Sequence, residues 1–342
     1  MIIRLTFVER VLHRLHLLPT PVMDAFASVV FGRALTIAVR RGLFEALSSA
    51  PHTTTELAVT TNLDRKALEL LLESFVAAGY LKTRNGEYLL TAGSRRWLLK
   101  DSPSYIGNLI RYFETLYGRW INLEHSLEHG QPPQPYFDGW TDNDWKVYLH
   151  GMQDLARLLL PQVMKRVILP SLPHHLLDLG GSHGLYAIAC CRRYPTLTAT
   201  IIDFDEALRH THTIVAEAAM SGRVQLLPAD FTQMEFPPSQ DCILMFNIIH
   251  GFREDVNRGF IRRALKALKP RGKIYILDQI REERRKAAIA QFMPLMVGLN
   301  LLNEIGGSTY SYEHVKEWTT GAAKVKRMRL LLPGVSLVEV TR

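Results

Sequence analysis

The sequence predicts an α/β chain: a doubly wound, mostly parallel sheet domain in its second half, behind a smaller all-helical domain. Three observations lead there. From about residue 174, short apolar runs alternate with helical segments, the texture of a parallel sheet with helices on both faces. The first run ends in Asp178-Leu179-Gly180-Gly181-Ser182-His183-Gly184, a glycine-rich turn at the carboxyl end of a strand. Before residue 101 the pattern is instead helix, helix, helix and a tight hairpin.

Bulk properties bound the class. A chain of 342 residues has room for two domains, and 47% hydrophobic with 22% charged residues excludes a disordered or fibrous chain. Cys190, Cys191 and Cys242 have no C-x-x-C spacing, so a reduced, cytoplasmic, soluble protein is expected. The most apolar run, Phe292 to Leu302, is too short to span a bilayer and contains Pro294, so no membrane partner is expected. Met1, Leu5, Val8, Leu12 and Leu15 recur at helical spacing among Arg4, Glu9, Arg10 and Arg14. Without a continuous apolar stretch or a cleavage site, that reads as a packing arm rather than a signal peptide. The net charge of +8 permits anionic partners. Its densest patch, Lys324, Lys326, Arg327 and Arg329, lacks interleaved aromatics and reads as a solvated face.

In chain order, a helix from about Phe31 to Ser49 carries Ala34, Ile37, Ala38, Leu43 and Leu47 on its apolar face. Thr53-Thr54-Thr55-Glu56 is a capping-box signal, and Asp64 caps a third helix striped by Leu68, Leu71, Leu72 and Phe75. Asn85-Gly86 centres a hairpin from Tyr80 to Leu90. Together these predict a winged helix. Its third helix offers Arg65 and Lys66 but then Glu69 and Glu73, a face that phosphates repel, so dimerisation or a substrate-lid role is expected rather than nucleic-acid binding. The domain plan is therefore 1–101 for the arm and winged helix, 102–170 for a helical linker contributing to a substrate pocket, and 171–342 for the sheet domain.

Strands are predicted at His175 to Leu179, Thr198 to Asp203, Val224 to Pro228, Cys242 to Asn247 and Lys273 to Asp278, with helices near 185–194, 206–220 and 256–268. Met328 to Leu332, Pro333-Gly334 and Val335 to Val340 read as a closing antiparallel hairpin. In such sheets ligands lie beyond the carboxyl ends of the strands. The glycine turn is not a dinucleotide fingerprint, since Ser182 and Leu185 stand where the second and third glycines belong, and no Lys-Ser or Lys-Thr follows. What remains is Asp178 at the strand end and glycines that admit a ligand to the backbone. Asp203 ends the next strand, placed to accept both hydroxyls of a ribose, and Asp230-Phe231 follow the third with an acceptor and a flat apolar face. That describes a pocket for a nucleoside without pyrophosphate, and S-adenosylmethionine is the common cofactor of that description.

With these motifs the chain resembles the S-adenosylmethionine-dependent small-molecule O-methyltransferases of the caffeic acid/hydroxyindole type, including bacterial polyketide and antibiotic methyltransferases. The resemblance runs nearly end to end and implies a Rossmann-like catalytic domain behind a winged-helix dimerisation domain, in a homodimer. The family's D-x-G-G-G-x-G corresponds to Asp178 through Gly184, with Ser182 in place of the third glycine. Its second-strand acid and following apolar residue correspond to Asp203-Phe204, and its G-D-F to Ala229-Asp230-Phe231. The implied cofactor set is Asp178, Gly180, Gly181, Ser182, Gly184, Asp203, Phe204, Asp230, Phe231 and Asn247. The family's L-H-D-W stands here as Ile249-His250-Gly251-Phe252, keeping only the histidine.

A phenol with pKa of about 10 is mostly protonated at neutral pH, so a histidine at the acceptor oxygen can take its proton as the new bond forms. His250 is the expected general base, and the resemblance makes Asp278 the carboxylate that orients it. The family's G-G-x-E-R-T is Gly306-Gly307-Ser308-Thr309-Tyr310-Ser311, with Thr309 where a second glutamate belongs and Glu304 two residues before the glycines as a substitute. The resemblance also implies a substrate wall of Met152, Phe292, Met293, Met296, Leu299, Asn300 and Asn303. His210 and His212 face different ways on a helix, so no metal is expected. The altered residues leave open N- or C-methylation, or a cofactor-bound step without methyl transfer, and more remotely a DNA-binding regulator.

Overall fold

The structure, a computed structural model, describes residues 6–282 and 288–342, so Met1, Arg4 and Leu5 of the amphipathic arm lie outside the described residues. It forms two compact units, Met1–Leu116 and Tyr117–Arg342.

In the first unit come α1 (Phe7–Arg14), α2 (Thr20–Arg40), α3 (Leu43–Ala46), α4 (Thr54–Thr61) and α5 (Arg65–Ala77). The hairpin β1 (Leu81–Arg84) and β2 (Glu87–Leu90) follows, then α6 (Ala92–Leu98) and α7 (Gly107–Phe113). The caps fall where the sequence puts them. Thr53 and Glu56 form a reciprocal capping box, and the Asp64 carboxylate accepts from the Ala67 N–H at 2.8 Å. Asn85 and Gly86 both take positive φ, as a tight hairpin turn requires. Leu68, Leu72 and Phe75 close a core with Leu43, Phe44 and Leu47.

Two expectations are corrected. The helix predicted from Phe31 to Ser49 begins at Thr20 and breaks at Arg41-Gly42. By length and composition, α2 is also long and apolar enough to cross a membrane, against the expectation that no stretch is. Val22, Phe26, Val29 and Val30 on it are exposed, while Arg33 and Arg40 both pair with Glu114, at 2.5 and 3.1 Å.

The second unit opens with α8 (Tyr117–Trp120), α9 (Leu123–His129) and α10 (Asp142–Met164). The sheet domain then runs β3 (His175–Leu179), α11 (Leu185–Arg193), β4 (Thr198–Asp203), α12 (Asp205–Leu208), α13 (Thr211–Glu217), β5 (Val224–Pro228) and β6 (Gln240–Phe246). It closes with α14 (Glu254–Ala267), β7 (Leu268–Arg281), α15 (Ala288–Ile305), β8 (Tyr310–Ser311), α16 (Tyr312–Trp318), β9 (Lys324–Arg329) and β10 (Val335–Thr341). The predicted 206–220 helix is two pieces, and β9 begins four residues before the predicted Met328.

Strand order is β5-β4-β3-β6-β7-β10-β9, with every strand parallel except β10, which pairs antiparallel with both β7 and β9, while β8 pairs with β7 off this path. Side chains alternate across the sheet as the two-residue period demands. Leu176, Ile201 and Leu244 pack with α10 and α11 on one face. Leu177, Ile202 and Ile243 pack with α14 and α16 on the other. Both faces are therefore apolar, and β6 is buried along its whole length. The basic patch lies on the edge strand β9, where Arg327 and Arg329 both pair with Glu282 and charge discourages further strand pairing. From β3 the chain winds outward to β5, then returns to β6 on the opposite side of β3. The reversal opens a crevice at the carboxyl ends of β3 and β6.

Candidate active site

The glycine turn sits at that reversal. Gly180, at φ +62°, has its N–H bonded to the Ile202 carbonyl at 2.8 Å. A Cβ there would fall 2.1 Å from Ile248 Cδ1 and push that side chain aside, and the left-handed backbone itself favours glycine. Ser182 also takes positive φ. Its N–H donates to Asp203 Oδ2 at 3.0 Å, and the Phe204 N–H donates to Oδ1 at 2.8 Å. The carboxylate ending β4 thus holds the turn after β3 in place. Ser182 Oγ remains buried and unpaired.

Two buried carboxyls face this turn, and both are harder to ionise than usual. Burial, and then the charge of Asp203, pushes Asp178 up to about 8. Burial pushes Asp203 up to about 6, against the two backbone donors that favour its charged form. His183 within the turn is driven down to about 4 by burial and by Arg157 nearby, so its imidazole is neutral and accepts the Leu185 N–H at 3.2 Å.

Asp230 is exposed and caps the turn after β5 through the Thr232 N–H at 2.9 Å. Phe231 is only 3% exposed, packed among Phe204, Phe252 and Phe260 with ring centroids 5.7–6.0 Å apart. Asn247, at φ +55°, turns the chain out of β6, and its N–H bonds to the Leu277 carbonyl at 2.7 Å.

The next turn, Ile249–Gly251, carries His250. His250 Nδ1 lies 2.6 Å from Asp278 Oδ1, so the ring proton sits on Nδ1 and the lone pair on Nε2. Asp278 is fully buried near the end of β7. It also accepts the His250 N–H at 3.3 Å and the Gln279 N–H at 2.7 Å, so its charge is well matched by donors. Burial alone would depress the imidazole. The Asp278 charge and hydrogen bond, with the Glu304 charge, outweigh it and raise the pKa above its ordinary value.

A second loop clamps the same turn. Ser308 donates its N–H to the His250 carbonyl at 2.9 Å, and a Cβ at Gly307 would lie 2.3 Å from that oxygen. Thr309, where the resemblance wants an acid, is buried against α15, its hydroxyl donating to the Pro294 carbonyl at 3.0 Å. Glu304, 4% exposed in the last turn of α15, is pushed up to about 7 by burial, which outweighs the Asn300 hydrogen bond and the charges of Arg119 and His250.

The substrate residues expected from the sequence divide. Asn300 bonds Glu304. Asn303 is buried and ties α15 back to the start of the unit, accepting from Ser126 Oγ at 2.9 Å and donating to the Arg119 carbonyl at 3.0 Å. Phe292, Met293 and Met296 are exposed, and Met152 and Leu299 half-buried. His210 lies 2.9 Å from Asp142.

Tyr148 was missed. Burial, then the charges of Asp203 and Glu304, raise its phenol, so it lies near both of these carboxyls. The signal is an aromatic cluster, Tyr136, Phe137, Trp140, Trp145 and Tyr148, in the 102–170 segment expected to contribute to a substrate pocket, of which Met152 alone is expected as a contact; in the structure Phe137 and Trp145 stack at 4.7 Å and Trp140 meets Tyr148 at 5.6 Å.

The chain is 25% identical over 327 residues, 93% of each protein, to a 3-hydroxy-5-methyl-1-naphthoate 3-O-methyltransferase of Streptomyces sahachiroi. It is 26% identical over 313 residues to the tetracenomycin polyketide synthesis 8-O-methyl transferase TcmO of Streptomyces glaucescens, covering 89% of this chain and 91% of that one. In fold it matches human N-acetylserotonin methyltransferase in complex with SAM, with a TM-score of 0.81 at 19% identity over 94% of this chain and 97% of that one. The O-methyltransferase domain family matches residues 127–323, more than half of the chain and the span that carries the glycine turn, His250 and Asp278, and the protein belongs to that family.

Proposed function

We propose that the protein transfers a methyl group from S-adenosylmethionine to a hydroxyl of an aromatic or polyketide-like small molecule, with His250 as general base. The observation that carries this reading is the 2.6 Å contact of His250 with buried Asp278, at the strand ends beside the acid-lined glycine turn. A rim histidine of purely structural use would not need a buried carboxylate fixing its tautomer and leaving Nε2 free.

The residues fit the cofactor. Ser182 Oγ is a buried atom awaiting a partner, and Asp203, at the end of β4, has lone pairs beyond its two backbone donors. Burial disfavours the ionisation of both Asp178 and Asp203, and the Asp203 charge adds to it at Asp178, an imbalance that a cationic ligand reverses. When bound, S-adenosylmethionine supplies an electrophilic methyl on a sulfonium whose departure requires no acid. The chain's part is to bind and orient both partners and to accept the acceptor's proton at Nε2. Asp278 then stabilises the imidazolium.

The exposed apolar stripe Val22, Phe26, Val29 and Val30 on α2 supports a homodimer formed through the first unit, since a stripe of that width facing water is costly. Free, buried cysteines fit a reducing cytoplasm.

Calorimetry with S-adenosylmethionine and S-adenosylhomocysteine on wild type and Asp203→Ala tests the nucleoside pocket. Methyl transfer to hydroxynaphthoate acceptors, with His250→Ala as control, tests the reaction. No binding of either ligand to folded protein would sink the proposal.

A further inference from the structure

The last two turns of α15 carry a defect that the catalytic pair does not share. Glu304 is 96% buried by its 4% exposure, yet its Oε1 is enclosed with no hydrogen-bond partner. Asn300, one helical turn earlier and so on the same face, donates to Glu304 and leaves its own Oδ1 buried and unpaired. Two acceptors without donors, side by side in a protein interior, are destabilising. Native structures seldom retain such groups without a use.

Their position supplies the use. The chain passes from Glu304 directly into Gly306-Gly307-Ser308, whose backbone lies against the His250 carbonyl. Glu304 is also close enough for its charge to act on the imidazole and on the Tyr148 phenol. The residue that could have been a second carboxylate partner of His250, Thr309, is committed to Pro294. Asn303, on the same helix, is satisfied by Ser126 and Arg119. A third unmet acceptor of α15, Gln291 Oε1, lies near the start of the helix, so the pair in its last two turns is the one that leads into the His250 turn.

The geometry points to Glu304 and Asn300 as a specificity element that reads a hydrogen-bond donor on the methyl acceptor, a second hydroxyl or an N–H separate from the hydroxyl that reacts. This deepens the methyltransferase reading and rests on it. A hydroxyl that donates to Glu304 Oε1 restores the carboxylate's charged form and removes the penalty of the orphaned oxygen. An analogue with an ether there leaves the buried acceptor unpaired, the situation in which sites built around polar groups reject ligands most strongly.

The test uses naphthalene-2,3-diol and naphthalene-2,7-diol, each against its monomethyl ether, which keeps the reacting hydroxyl, removes the second donor and adds one methyl group, and against 2-naphthol, which removes the second donor without adding bulk. With the full chain and S-adenosylmethionine, the better diol should exceed both its ether and 2-naphthol in kcat/KM by about tenfold or more. Glu304→Leu should bring that ratio toward one, and Glu304→Gln, which keeps an acceptor oxygen, should retain most of it. A ratio near one in wild type overturns the inference, as does an unchanged ratio in Glu304→Leu. If Gln fails as badly as Leu, and the acid limb of the pH profile falls with it, Glu304 acts on His250 by charge alone and the inference is again lost. No transfer to any of these compounds, with S-adenosylhomocysteine binding intact, overturns it too. Loss of S-adenosylhomocysteine binding in the wild type instead fails the reading beneath it.

Discussion

Two carboxyls flank His250, and they are built in opposite ways. Asp278, on a central strand, is fully buried and accepts three N–H donors, two from the backbone and one from the imidazole. Glu304, on a helix end, is almost as buried but holds one oxygen with no partner and titrates near neutrality, at about 7. The first is complete in the free protein and the second is not. Satisfied polar groups fix geometry, whereas unsatisfied ones await a ligand. The floor of the site is therefore preorganised by the sheet, while its α15 wall is left to be completed by what binds.

The most forceful way to break the comparison is to remove what the floor orients. His250→Ala should lower kcat by about a hundredfold to ten-thousandfold, the usual range for a general base, with S-adenosylhomocysteine affinity retained. Asp278→Asn comes next, at about a hundredfold. An asparagine offers one acceptor oxygen where three N–H groups now converge, and its NH2 would confront a donor. The pH profile gives the sign. A base must be neutral to act, and the wild-type pKa is raised, so activity should climb with pH through a value above the ordinary imidazole range. Without the Asp278 charge that limb should move to lower pH while the plateau drops. A limb that stays in place would show that Asp278 does not govern the base.

The floor was legible in the sequence because it is made of local motifs on predictable strands. Asp178, Asp203 and His250 each stand at or just past the carboxyl end of an apolar run, and β3, β4 and β5 match their predicted ends. The wall was not. Glu304 is recognisable only once α15 is folded against the His250 turn, and Tyr148 only once an aromatic cluster brings α10 near Asp203. Periodicity also misread the first unit. An apolar stripe says which face of a helix is hydrophobic, but not where the helix starts, and so α2 was cut short by eleven residues, from Thr20 to the predicted Phe31. The early end of β9 has the same origin: Lys324, Lys326 and Arg327 look like a solvated face, and only pairing with β10 makes them a strand.

On the cofactor side, Asp203→Ala should weaken S-adenosylmethionine about tenfold to a hundredfold, the loss of hydrogen bonds to a charged acceptor. Because burial raises Asp203 to about 6, wild-type affinity should decline as the pH falls through that value and the carboxylate is neutralised. Asp203→Asn should bind weakly with little of that dependence. Calorimetry between pH 5 and 8 separates the two, and an affinity that rises on acidification would contradict a ribose role for this acid.

The smallest effects compare two glycines. At Gly307 a methyl group would lie 2.3 Å from the His250 carbonyl oxygen and 3.3 Å from Gly251 Cα, both backbone atoms that cannot swing aside. Gly307→Ala should therefore shift the turn that carries the base, cutting kcat about tenfold and stability by about 1–3 kcal/mol. Gly259 lies inside α14 with open space where its Cβ would go. Gly259→Ala should raise stability by about 0.5–1 kcal/mol, through helix propensity and the lower entropy of the unfolded chain. Chemical denaturation measures both changes. Equal effects of the two substitutions on kcat would mean that the 307 loop does not position His250, and that β7, through Asp278, holds the base without it.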